Sequence, residues 1–149
     1  MADPDIHRTG RVILLDPAGR VLLLRFLVEQ AGEPFEFWAT PGGRAEEGET
    51  DHHAATRELA EELGLSVPLE GPVHSHASTF EVNGQTWRGQ DVFFTARCAP
   101  DDPVFSGGTD AQERATLQEM RWWAPDDVEM SPTPVFPPDL VRVLRRLVP

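Results

Sequence analysis

Glu58, Glu61 and Glu62 stand at i, i+3 and i+4 of a helical pattern running from Thr50 to Leu63. At about 100° per residue the three carboxylates fall within one arc of a single turn. Like charges so placed repel, each pair costing about 0.2–0.5 kcal/mol even on an isolated helix. The surrounding segment, Gly43 to Leu65, holds seven acids against Arg44 and Arg57, a charge of −5 within a chain of net charge −12. Such a concentration of oxygen ligands suits a hard divalent cation, magnesium or manganese. The other face of the helix is apolar: Ala55, Leu59 and Leu63 lie one turn apart and are expected to bury against a sheet. Ala54 falls by spacing among the acids, where a small side chain leaves room for metal and phosphate. Arg57 lies beside the acidic arc within reach of Glu49. Gly42 and Gly43 let the backbone come close to a cation and offer a carbonyl, and Gly64 is placed to stop the helix.

Composition narrows the chemistry. All thirteen basic residues are arginine, and the chain has neither lysine nor tyrosine. A P-loop lysine, a lysine Schiff base and a tyrosine acid or nucleophile are therefore excluded. The missing lysines are best explained by a GC-rich genome. An acidic balance disfavours an extended nucleic-acid partner, which is bound by neutralising phosphates. The single Cys98 cannot close an internal disulfide, the N-terminal residues carry no signal-peptide core, and no apolar run has the length of a membrane span. A cytoplasmic protein with no membrane partner, monomeric or homodimeric, is the expectation. At 149 residues and 40% hydrophobic, one domain over residues 1–149 is expected.

The remaining pattern reads as a mixed sheet with helices packed on it. Arg11–Asp16 and Val21–Val28 form a hairpin about Asp16-Pro17-Ala18-Gly19. After a polar connection at Glu29–Pro34, a short strand spans Phe35–Thr40. Two long strands, Ser66–Val82 and Gln85–Arg97, meet at Asn83-Gly84. Residues 99–115 read as a loop, Leu117–Ala124 as a strand, Pro125–Glu129 as a brief helix and Met130–Phe136 as irregular. Pro138–Leu147 closes the chain as an amphipathic helix with Leu140, Val143, Leu144 and Leu147 on one stripe.

The acidic segment matches without departure the Nudix box, Gly-x5-Glu-x7-Arg-Glu-U-x-Glu-Glu-x-Gly-U with U bulky and aliphatic. Gly43, Glu49, Arg57, Glu58, Leu59, Glu61, Glu62, Gly64 and Leu65 fill it. Seven fixed letters make a chance match on the order of 10⁻⁹ per starting position. The chain therefore resembles a Nudix hydrolase, and the order of its elements outside the box follows that family too. The resemblance implies an α/β (α+β) fold, an α/β/α sandwich around a central mixed β-sheet. It also implies magnesium-dependent hydrolysis of a nucleoside diphosphate linked to another moiety. Glu58, Glu61 and Glu62 would hold the metal, with the Gly43 carbonyl as a further ligand and Glu49 acting directly or through Arg57. Manganese could replace magnesium.

The general base varies in this family, and Glu58, Glu62, Glu113 and Glu119 are the candidates. Arg25 and Arg44 are candidate phosphate grips. Trp38, Phe80 and Phe94 are more readily core residues than base-stacking ones. Of Trp122 and Trp123, one should face inward. His52, His53, His74 and His76 are expected to face solvent, and Cys98 to be a small buried residue. The absence of tyrosine removes the marker of many diadenosine-polyphosphate hydrolases of this family. Signatures of NADH, coenzyme A and ADP-ribose hydrolases are not found. A (deoxy)nucleoside triphosphate is the favoured small-molecule substrate, with a nucleotide sugar of ADP-ribose type as the alternative. A non-catalytic nucleotide sensor and an isoprenoid-diphosphate isomerase are further alternatives. A sensor would be expected to lack some of the box carboxylates, and an isomerase needs a reactive cysteine elsewhere than position 98.

Overall fold

The computed structural model describes residues 6–82, 85–107 and 116–148, without the side chains of 80–82, 85 and 87. Its strands are β1 (Ile6–Leu15), β2 (Val21–Gln30), β3 (Glu33–Ala39), β4 (Gly42–Arg44), β5 (Glu70–Val82), β6 (Gln85–Arg97), β7 (Leu117–Trp123) and β8 (Val135–Phe136). Its helices are α1 (Asp51–Leu63), α2 (Pro125–Glu129) and α3 (Leu140–Leu147). The strands form one mixed sheet ordered β5-β6-β1-β2-β3-β8, with β4 also on β1 and β7 also on β2. β1 runs parallel to β6 over its whole length, and β3 runs parallel to β8. The other pairs are antiparallel.

Alternation along the strands sends apolar side chains to both faces, as a sheet covered on two sides requires. On one face Val12, Leu14, Leu22, Leu24, Phe94 and Ala96 bury against Ala55, Leu59 and Leu63 of α1. On the other, Ile13, Leu15, Val21, Leu23 and Phe93 bury against Val128 of α2 and Leu140, Val143 and Leu144 of α3. The α/β/α layering and both expected helix stripes are thus present, with Leu147 packed at the margin of the second core.

The first hairpin turns where expected. The buried Asp16 carboxylate accepts from the backbone N–H of Ala18 and Arg20 and from Arg20 Nε, at 3.0, 2.8 and 2.7 Å. Beyond the turn β1 and β2 part, pairing in register only at Leu15 and Val21. The start of β1 pairs instead with β4, Thr9–Arg11 opposite Arg44–Gly42. This divergence opens the sheet between its β5-β6-β1 and β2-β3 halves, which makes space for a site.

Several boundaries differ from the sequence reading. β1 begins at Ile6, because β6 pairs with the polar residues before Arg11 as well. The connection expected at Glu29–Pro34 is largely strand, turning tightly on Ala31 and Gly32 at φ 54° and 80°. β5 starts at Glu70 rather than Ser66, and residues 135–136 form a short strand inside the stretch read as irregular. Asn83-Gly84 lies outside the described residues.

Gly10 is the contact point of α1 with β1. A Cβ there would overlap the Asp51 carbonyl oxygen and come within 2.8 Å of the Ala55 nitrogen, both backbone atoms that cannot swing aside. Gly10→Ala is expected to destabilise the protein by about 1–3 kcal/mol through overpacking. A shift in the urea unfolding midpoint without a change in slope is the readout.

Candidate active site

α1 is held at both ends. Thr50 caps its start, Oγ1 accepting from the His53 N–H at 3.0 Å. At its far end the Gly64 N–H donates to the Ala60 carbonyl, while the N–H groups of Val104 and Ser106 donate to the Leu63 and Glu62 carbonyls. The acidic turn is thereby fixed against β4, and Glu58, Glu61 and Glu62 line a cleft of about 690 Å³ with Gly42, Gly43 and Phe26.

Arg57 organises this cleft. Its Nε and Nη2 each donate to Glu49 at 2.9 Å, a two-bond clamp on one carboxylate. Nη1 donates to Glu58 at 3.0 Å and to Glu61 at 3.4 Å, and Nη2 also reaches the Arg44 carbonyl at 3.1 Å. Glu49 accepts in addition from the Glu46 N–H at 2.9 Å. One guanidinium thus ties the loop 44–49 to the acidic turn. Glu62 is buried, 3% exposed, and accepts from the Gly42 N–H at 2.9 Å. Gly43 packs directly on Glu58: a Cβ there would lie 2.5 Å from the Glu58 carboxyl carbon and Oε1.

Hydrogen bonds from Arg57, then from the Glu46 backbone, hold the Glu49 carboxyl down at about 2, against an ordinary value of 4.5. The Arg57 pKa is raised in turn, first by its bond to Glu49. Among the described residues, no three His, Cys, Asp or Glu side chains are already drawn together as a metal-ligand set. Arg57 engages Glu58 and Glu61, while Glu62 is turned onto Gly42. Their donor chemistry nonetheless fits a hard divalent cation, and the missing Gly43 side chain leaves backbone and carboxylate side by side.

A second, larger cavity of about 1360 Å³ lies between the two halves of the sheet. Phe35, Phe37 and Phe136 line it, with Arg11 and Asp91 among its polar groups, and Arg44 borders both cavity and cleft. Phe37 stacks on Phe26 with centroids 5.1 Å apart and planes 3° from parallel, and Phe136 meets Phe37 edge-on at 5.4 Å. An aromatic wall therefore runs from the acidic cleft into the cavity. The sequence reading did not single out these phenylalanines, nor Arg11 or Asp91. Polar residues interrupting apolar strands, as Thr9, Arg11 and Asp91 do, were the available signal.

Of the expected site residues, Gly43, Arg44, Glu49, Arg57, Glu58, Glu61 and Glu62 come together. Arg25 does not join them. It lines neither cleft nor cavity, and its Nε donates to Glu119 at 2.8 Å, with Glu36 3.8 Å away. Strand alternation is the reason: Phe26 faces the cleft, so its neighbour Arg25 points away. Glu119, a candidate base, makes that pair and lines neither cleft nor cavity, and Glu113 lies outside the described residues. Ala54 is buried and lines no cleft.

Trp38 is core, edge-on to Trp123, and Phe94 is buried under α1. The Phe80 side chain is not among those described. Trp123 is buried, while Trp122 packs at the opposite core margin and donates Nε1–H to the Pro100 carbonyl at 3.1 Å. His52 and His53 are exposed as expected, but His74 is not solvent-facing. Its ring, beside Phe93, places Nε2 3.0 Å from Asp139, because β5 is covered there by the start of α3. His76 is half-buried on the cavity wall. Cys98, expected to be buried, is half-buried at the margin of the first core, and burial pushes its thiol up to about 11. Among the described residues, no helix is long and apolar enough to cross a membrane.

Comparison with known proteins accords with this geometry. The family described as NUDIX domain matches residues 5–147. An RNA pyrophosphohydrolase of Novosphingobium aromaticivorans is 29% identical, over 92% of this chain and 83% of its own. An RNA pyrophosphohydrolase of Caulobacter vibrioides is 34% identical, over 78% of this chain and 70% of its own. Among solved structures, the NUDIX domain of Shewanella oneidensis NrtR complexed with ADP ribose superposes with a TM-score of 0.69. It shares 18% identity, covering 99% of this chain and 94% of that one, and shows the common fold. The chain belongs to the Nudix family. Within it, the chain is a pyrophosphohydrolase.

The depressed Glu49 pKa makes stability depend on pH in a defined direction. The folded state holds the group ionised at a pH where the unfolded chain protonates it. Its contribution is complete above about pH 4.5 and is lost as the pH falls toward 2. Glu49→Gln should therefore be less stable than wild type at neutral pH. The gap in urea midpoints should narrow steadily below about pH 4.5.

Proposed function

We propose that the chain hydrolyses a phosphoanhydride bond in a nucleoside diphosphate linked to another moiety, with a (deoxy)nucleoside triphosphate as the favoured substrate and magnesium as the cofactor. The observation that carries this reading is the joining of two spaces at Arg44: an acidic cleft braced by Arg57, and an aromatic cavity large enough for a nucleoside. A polyphosphate resists attack because its oxygens are anionic, so turnover requires charge neutralisation and an oriented, deprotonated water. A divalent cation, when bound, supplies the first and acidifies water.

In this reading the residues of the chain divide the remaining work. Glu58, Glu61 and Glu62 hold the cation, with the Gly43 carbonyl beside them. Glu58 or Glu62 accepts the proton of the attacking water. Glu49 fixes Arg57, and Arg57 fixes the acidic turn, so both act by positioning. Arg44 grips phosphate where cleft and cavity meet, and the phenylalanine wall takes the nucleoside.

A second reading is favoured by the two relatives, both RNA pyrophosphohydrolases: the substrate would be a triphosphorylated RNA end. The charge of −12 works against a long RNA contact and supports the mononucleotide. Glu58→Gln and Glu62→Gln should each retain native circular dichroism and lose about 10²-fold or more in kcat. Pyrophosphate and phosphate release over a panel of nucleoside triphosphates, ADP-ribose and 5′-triphosphorylated RNA, with magnesium, is the assay. Wild-type rates in both variants would refute the assignment, and the panel names the substrate.

A further inference from the structure

We infer that Asp91 selects the base of the bound nucleotide, favouring one that presents a ring N–H beside an exocyclic amine, as guanine does. The inference rests on the proposed nucleotide site and adds to it the residue that reads the base. Asp91 sits on the cavity wall, on β6, facing its β1 neighbours Thr9 and Arg11 across the parallel pair. Both of the hydrogen bonds it accepts from these neighbours fall on one oxygen: the Thr9 hydroxyl and Arg11 Nε, the latter at 3.5 Å, share Oδ1. Oδ2 accepts from no described residue. The carboxylate is only 21% exposed, in a cavity that Phe35, Phe37 and Phe136 line together with polar groups such as Glu29, Arg44 and His76.

A half-buried acid oriented through one oxygen is preset to accept donors with the other. Thr9 and Arg11 orient it from one side, and Arg11 is itself held, its Nη1 donating to the Thr40 carbonyl at 3.2 Å.

The direction of selection follows from donor and acceptor chemistry. Guanine places N1–H next to its 2-amino group, and both donate toward a carboxylate through charge-assisted bonds. Adenine places an acceptor, N1, beside its single amino donor, so a lone pair would face the anion and one bond would be lost. A carboxylate left without its partner in a half-buried site makes such discrimination large. Phe35 and Phe37 supply a stacking surface indifferent to which purine is bound, leaving the choice to the acid. Hypoxanthine keeps N1–H but lacks the amine, and should fall between the two.

Binding tests this separately from turnover. Affinities of non-hydrolysable α,β-imido analogues of GTP, ITP and ATP are measured by calorimetry on wild type and on Asp91→Asn, with circular dichroism confirming the fold. Wild type should bind the guanine analogue at least tenfold more tightly than the adenine one, with hypoxanthine intermediate. Asp91→Asn should bring guanine and adenine within about threefold by weakening the guanine analogue alone. Equal affinities in wild type would overturn the inference. So would an equal loss for both purines in Asp91→Asn, which is what a merely structural acid bracing Arg11 produces. Should the variant fail to fold, the wild-type order of the three analogues decides. A guanine preference in binding with no hydrolysis of any nucleotide would refute the proposed hydrolysis and leave this inference supported.

Discussion

The two-bond clamp of Arg57 on Glu49 is the constraint on which the rest of the site depends. Three carboxylates on one helical turn would push apart or turn to solvent if left alone. Here Arg57 holds Glu58 and Glu61 and is itself anchored from outside the turn, while Glu62 is held by the Gly42 N–H. Glu49 holds Nε and Nη2, leaving Nη1 for Glu58 and Glu61, while Nη2 also donates to the Arg44 carbonyl. Lysine offers no planar fork and could not meet these partners together. The loop that carries Gly43 and Arg44 is thereby set against the acids of α1.

The geometry also explains why the glycines matter more than their size suggests. Gly10 brings the helix backbone onto β1, and Gly43 brings β4 onto Glu58. Each removes a methyl group's thickness between layers that must touch. In the proposed function, that closeness would let the Gly43 carbonyl and the carboxylates hold one cation, while Arg57 stays fixed by Glu49. The divergence of β1 from β2 adds the adjoining cavity. Cleft and cavity thus arise from one feature of the sheet: β1 leaves β2 after a single register and takes β4 as its partner.

Much of this was legible from local pattern. Thr50, the apolar spacing and Gly64 marked α1 to within a residue, because cap, period and stop all agree there. The two faces of the sheet and the stripe of α3 were readable for the same reason. What escaped reading depends on pairing between distant strands. The start of β1 is polar and becomes strand only because β6 lies alongside. His74 looks solvent-facing on its own strand but is covered by Asp139 from α3. Arg25 reads as a candidate phosphate grip in sequence, whereas the parity fixed by Phe26 sends it to Glu119. The aromatic cavity assembles seven strands and so has no compact sequence signature.

The central claim is that the acidic turn braced by Arg57 is a divalent-cation site, and metal affinity tests it without any substrate. Manganese binding followed by electron paramagnetic resonance should show a specific site in wild type. That site should weaken at least tenfold in Glu58→Gln and in Glu62→Gln, both retaining native circular dichroism. It should also weaken in Arg57→Lys, where the clamp on Glu49 is lost. Manganese affinity unchanged across all three variants would contradict the account.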